Sequence, residues 1–144
     1  MSRRTALILL GAVVGAVVVN FVVATIAVGA GASSSFGPLQ PPVYGAFTAL
    51  GIIGGWLGWR AVQRRSDRPR AVLQVLVPAV TVVSFVPDLA LLALQFIPDT
   101  STAGVLALMV MHLVVVAFGV PAYALATPVG RSVASTAPAA ATTA

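Results

Sequence analysis

The chain contains no cysteine, no lysine and a single histidine. The first absence excludes disulfides, thiolate metal sites and a cysteine nucleophile. The second removes Schiff-base chemistry. One histidine and scattered aspartates do not complete a metal site. Charge is scarce too. Only 8% of the 144 residues are charged, against about 25% in a soluble domain. Enzyme signatures are missing as well: there is no P-loop, no G-x-S-x-G and no H-E-x-x-H. A non-enzymatic chain without a cofactor or bound metal is expected.

What the sequence has in quantity is apolar residues, 59% of the total, with a mean hydropathy of +1.05. They fall in four runs, beginning at Ala6, Val43, Ala71 and Gly104. A bilayer core about 30 Å thick needs roughly 20 apolar residues of helix. The runs do not alternate polar and apolar residues, which excludes barrel strands. The expected fold is therefore an all-α integral membrane four-helix bundle with antiparallel, up-down spans. The spans are placed at about residues 6–28, 43–62, 71–97 and 104–126, and the Ala/Thr/Ser/Pro segment 127–144 is expected to be a disordered cytoplasmic tail. The length leaves no room for a separate soluble domain.

All the positive charge is arginine, and the arginines set the topology. Arg3 and Arg4 precede the first run, Arg60, Arg64, Arg65, Arg68 and Arg70 lie between the second and third, and Arg131 follows the fourth. Short cytoplasmic loops collect basic residues. Both termini are therefore expected in the cytoplasm of a cell with a bacterial plasma membrane. The 60–70 segment is expected to meet anionic lipid headgroups. It has no interleaved aromatics and no nucleic-acid-binding fold around it, so nucleic acid is not an expected partner. Residues 1–32 also resemble a signal peptide, with Ala30-Gly31-Ala32 as an A-x-A-like site. A signal's apolar region is 7–15 residues long, and this one is far longer, so an uncleaved span is preferred.

Small residues and prolines give hints about packing. Gly11 and Gly15 lie in the first run, and Gly51, Gly54, Gly55 and Gly58 in the second. Small-xxx-small spacing permits close helix approach in lipid. Spans one and two are expected to touch closely through these glycines. A homo-oligomer using the same glycines is the alternative. Pro78, Pro87 and Pro121 each remove a helical hydrogen bond, and a break is expected near Pro87. Trp56 and Trp59 are expected at the inner interface.

Few polar side chains lie within the runs, and three of them define the candidate site: Asn20, Asp88 and His112. Each falls about 12 Å from the outer end of its span at 1.5 Å per residue. A carboxylate in hydrocarbon costs about 2.5–3.5 kcal/mol even on the mild insertion scale, and a histidine partner relieves that cost. The cluster is read in two ways: as a hydrogen-bonded anchor that fixes helix order, or as the lining of a cavity that binds a ligand or passes a proton.

The basic start Ser2-Arg3-Arg4, the inner loop ending Arg68-Pro69-Arg70-Ala71, the segment from Ser84 to Leu89 and the segment from Leu108 to Val115 followed by Pro121 resemble a family of small, uncharacterised actinobacterial four-span membrane proteins. That resemblance implies a four-helix membrane domain and brings no activity with it. The expected function is a non-enzymatic membrane or envelope-associated component. The alternative is a small carrier or binding protein for a lipophilic or protonatable ligand, using Asn20, Asp88 and His112.

Overall fold

The computed structural model describes residues 1–129. The rest of the expected tail, with Arg131, lies outside the described residues. Every regular element among the described residues is helical: α1 is Arg3–Gly29, α2 Pro41–Arg65, α3 Pro69–Ser84, α4 Val86–Leu94 and α5 Thr102–Ala126, with a single 3-10 turn at Gly37–Leu39. Three helical stretches are long and apolar enough to cross a membrane: α1, α3 with α4 as Pro69–Leu94, and α5. At 25 residues α2 is as long as α5. Its five glycines make it less apolar.

The ends of the helices follow local chemistry. The Ser2 hydroxyl accepts from the Thr5 amide at 3.1 Å and caps α1. Past its other end, Gly31 takes a φ of +101°, which glycine adopts at little cost. Prolines open α2 and α3, where a missing N–H does no harm. Ser101 caps α5 by accepting from the Gly104 amide at 3.1 Å. The third run behaves differently from its hydropathy. Helix breaks at Phe85, one residue before the first turn that contains Pro87, and the Ser84 and Thr81 hydroxyls bond to carbonyls one turn back. It then ends at Leu94, because Gln95 is left-handed, with φ 47°. Ile97 is apolar but is not helical.

Two buried clusters, one in each half of the bundle, show that the helices run up and down. The first joins Ala24 and Ala27 of α1, Tyr44 of α2, Leu91 of α4 and Val105 and Met111 of α5. The second joins Leu9, Ala12 and Ala16 of α1, Ile52, Trp56 and Trp59 of α2, Leu73 of α3 and Tyr123 of α5. The late part of α1 thus meets the early part of α2 and of α5, as an antiparallel arrangement requires. The helix α5 is central and touches all the others, and its pairing with α1 is the most extensive. The residues α1 buries there form a stripe at helical spacing: Leu9, Ala12, Ala16, Asn20, Ala24 and Ala27. Small alanines make up most of the face that α1 buries.

The expected glycine contact between spans one and two is not what forms. A Cβ on Gly15 would sit 3.1 Å from Phe118 Cδ1, one on Gly51 would sit 3.1 Å from Val115 Cγ1, and one on Gly55 would sit 3.0 Å from Tyr123 Cζ. All three neighbours belong to α5, whose bulky side chains fill the notches that the glycines open. Gly11, Gly54 and Gly58 meet nothing within 4 Å and face outward. Trp56 and Trp59 are buried between helices, with the Arg60 guanidinium 5.0 Å above the Trp56 ring. The start of the expected tail is tied down: Trp59 Nε1 and Gln63 Nε2 donate to the Thr127 carbonyl at 3.2 and 2.8 Å, and Arg70 donates to the Val129 carbonyl at 3.1 Å.

Candidate functional site

The three polar residues singled out from sequence line one cleft. Asn20 sits on the alanine stripe of α1. Its Nδ2 donates to Thr48 Oγ1 of α2 at 2.8 Å, and the residue is 1% exposed. Asp88 lies in the first turn of α4, where exposed backbone N–H groups favour a carboxylate. His112 lies midway along α5, and its Nδ1 is 3.1 Å from Asp88 Oδ2.

The proton position on His112 follows from its neighbours. Nδ1 also lies 2.9 Å from the Leu108 carbonyl oxygen, one turn back on α5. Both neighbours of Nδ1 are acceptors, so Nδ1 carries a proton. Phe85 stands edge-on to the imidazole, with centroids 6.2 Å apart and planes at 84°. The ring is thus held by a carbonyl, a carboxylate and an aromatic edge, and is still 37% exposed. The histidine N–H is taken by the Leu108 carbonyl, so its 3.1 Å approach to Asp88 Oδ2 is a charge contact and not a hydrogen bond.

Two buried acceptors remain without a hydrogen-bond partner, Asn20 Oδ1 and Asp88 Oδ2. Orphaned buried polar atoms are uncommon and costly. In a helical bundle a dry anchor would use all of its lone pairs. Here both atoms belong to residues that line a cavity of about 720 Å³, a size typical of small-molecule sites, which run to about 300–1,000 Å³. The cavity lies between α2 and α4, with α5 as its back wall and Asn20 of α1 behind. Tyr44, Leu91, Leu108, Met111 and Val115 provide apolar walls. Phe47, at 69% exposure, and Phe96, at 64%, flank its open side.

The depths differ slightly from the sequence estimate. At 1.5 Å per residue, Asn20 is about 14 Å, His112 about 15 Å and Asp88 about 9 Å from the helix ends on the side away from the arginines. Asp88 is shallower than expected because α4 stops at Leu94. Thr48 was visible as a hydroxyl in an apolar run, but its pairing with Asn20 required the α1–α2 contact to be known. The aromatic lining residues carry no sequence signal of their own. Among the described residues no group of three or more His, Cys, Asp or Glu side chains converges on a point that could hold a metal ion. Neither a curated protein nor a solved structure matches the chain. Residues 1–129, the same stretch that forms the bundle and its cleft, match the family of unknown function DUF6069, and the chain belongs to that family.

Proposed function

We propose that this chain is a non-enzymatic integral membrane protein of a bacterial plasma membrane, and that its cleft binds a small lipophilic molecule with a polar head. Three apolar helices of sufficient length support the membrane location. Helix α2 is the fourth span. It is as long as the others and runs antiparallel in the same bundle, and Arg60, Arg64 and Arg65 lie at its end nearest the Arg68 and Arg70 turn. The arginine-bearing end lies in the cytoplasm by the positive-inside rule, where it meets anionic headgroups.

One observation carries the ligand reading: a cavity of about 720 Å³ ends on two buried acceptors that no hydrogen bond among the described residues satisfies. A site that is apolar with a few convergent polar groups is what a small amphipathic molecule requires. Asn20 also has an anchoring role through Thr48, so the cluster holds helices together and faces the cleft at once. The test is binding of Nile red, an uncharged lipophilic dye, to protein in nanodiscs. Saturable binding is expected for the parent protein. It should be lost in Leu108→Trp, which fills the cavity from α5, with thermal unfolding unchanged. Equal, non-saturating uptake by both would overturn the reading.

A further inference from the structure

We infer that the polar head recognised in the cleft is an ammonium group, so that the ligand is a free lipophilic amine taken up sideways from the leaflet away from the arginines. This rests on the ligand reading above and adds the chemical class. The cleft holds one carboxylate, Asp88, and no arginine lines it. Every arginine in the described bundle lies at the opposite end. An anionic head would meet Asp88 as a like charge with no arginine in the cleft to offset it. Asp88 Oδ2 and Asn20 Oδ1 are acceptors, and both lack a partner. His112 Nδ1–H, 3.1 Å from Asp88 Oδ2, is already bonded to the Leu108 carbonyl.

An ammonium supplies what that floor lacks. It brings three donors and a positive charge to a buried carboxylate. The aromatic rings of Tyr44, Phe47 and Phe96 line the same cleft, and aromatic rings attract cations. The open side between Phe47 and Phe96 is flanked by exposed apolar groups, which in a bilayer face acyl chains. A single-chain amine can slide in there without crossing water. A phospholipid amine cannot reach Asp88 as easily, since the carboxylate lies about 9 Å below the helix end.

The test uses three probes with the same twelve-carbon tail: dodecylamine, dodecanol and dodecanoate. Each displaces Nile red from protein in nanodiscs of phosphatidylcholine and phosphatidylglycerol. The ratio between parent and Asp88→Asn removes differences in partitioning into lipid. Dodecylamine is expected to bind the parent about tenfold or more tightly than Asp88→Asn, with Asp88→Glu intermediate, dodecanol unchanged and dodecanoate bound more tightly by Asp88→Asn than by the parent. If Asp88→Asn does not fold, the order amine, alcohol, acid on the parent decides alone. Dodecanol matching dodecylamine on the parent would overturn the ammonium assignment while leaving the ligand reading in place. Displacement of dodecylamine by added phosphatidylethanolamine would overturn the assignment to a free amine. Failure of Nile red itself to bind would remove the ligand reading and this inference with it.

Discussion

The Tyr123 hydroxyl donates to the Ile52 carbonyl oxygen at 2.8 Å across the α2–α5 contact, and its ring fills the space that Gly55 and Gly119 leave open. A helical carbonyl that already serves its own helix thereby takes a second bond, and the aromatic ring becomes the knob that sets the separation of α2 and α5. Trp59 leans on the same ring at 5.9 Å between centroids. The contact is specified by the absence of a side chain at two positions as much as by the presence of one at a third.

That relationship separates the glycines into two classes. Gly55→Leu forces a branched side chain into the Tyr123 ring, and overpacking of this kind costs about 1–3 kcal/mol or more. Gly51→Leu meets Val115 in the same way. Gly11→Leu and Gly58→Leu point into open space and should leave stability unchanged. Tyr123→Phe removes only the hydrogen bond, about 1 kcal/mol. Unfolding by sodium dodecyl sulfate titration in mixed micelles measures all five. Equal losses at Gly55 and Gly58 would show that the aromatic notch does not set the spacing.

The Asn20–Thr48 bond links α1 to α2 at the back of the cleft. Hydrogen bonds between membrane helices are worth about 0.6 kcal/mol on average and about 1.7 at most. A cycle of Asn20→Leu, Thr48→Val and the double variant should give a coupling in that range. The Asn20→Leu variant should also lose Nile red affinity, because leucine projects into the cavity. A coupling of zero would mean that the two side chains do not meet.

The helical class and the approximate bounds of the long helices were legible because hydropathy over a long run responds to length and composition alone. The meeting of Asp88 with His112 was legible for a related reason, since counting residues along antiparallel helices brings the two near one another. What hydropathy could not supply was rotation. Gly11 and Gly15 look equivalent in sequence, yet only Gly15 meets Phe118, since small residues mark a possible notch without naming the knob. The alanine stripe from Ala12 to Ala27 was hidden in a sequence rich in alanine. Gln95 ends α4 by its backbone conformation, inside a run whose hydropathy continues to Ile97. The cleft was beyond reach for a further reason: a cavity is the failure of two helices to pack, and no residue type encodes it.

The arginine end should bind anionic lipid. Arg64, Arg65 and Arg68 lie where α2 ends and α3 is about to begin. Basic residues near an anionic surface contribute about 1 kcal/mol each. Replacing these three with glutamine should weaken association with phosphatidylglycerol in a native mass-spectrometric lipid titration. Affinity for phosphatidylcholine should not change. An equal loss for both lipids would point to damage to the bundle instead of a charge effect.

Topology can be tested cleanly because the chain contains no cysteine, so any introduced thiol is the only one. Ser34 lies in the connector between α1 and α2, and Ser66 lies between α2 and α3 among the arginines. With the arginines held in the cytoplasm, Ser34→Cys in intact cells should react with a membrane-impermeant maleimide. Ser66→Cys should react only after permeabilisation. The two positions stand at opposite ends of one helix, α2, so a single pair of variants also decides whether α2 crosses. Labelling of both from outside would place α2 on the surface and leave the three apolar helices as the only spans. Reversed labelling would turn the cleft toward the cytoplasmic leaflet. Helix α2 forms one wall of the cleft and carries Thr48, so its crossing is the condition on which the lateral opening to lipid depends.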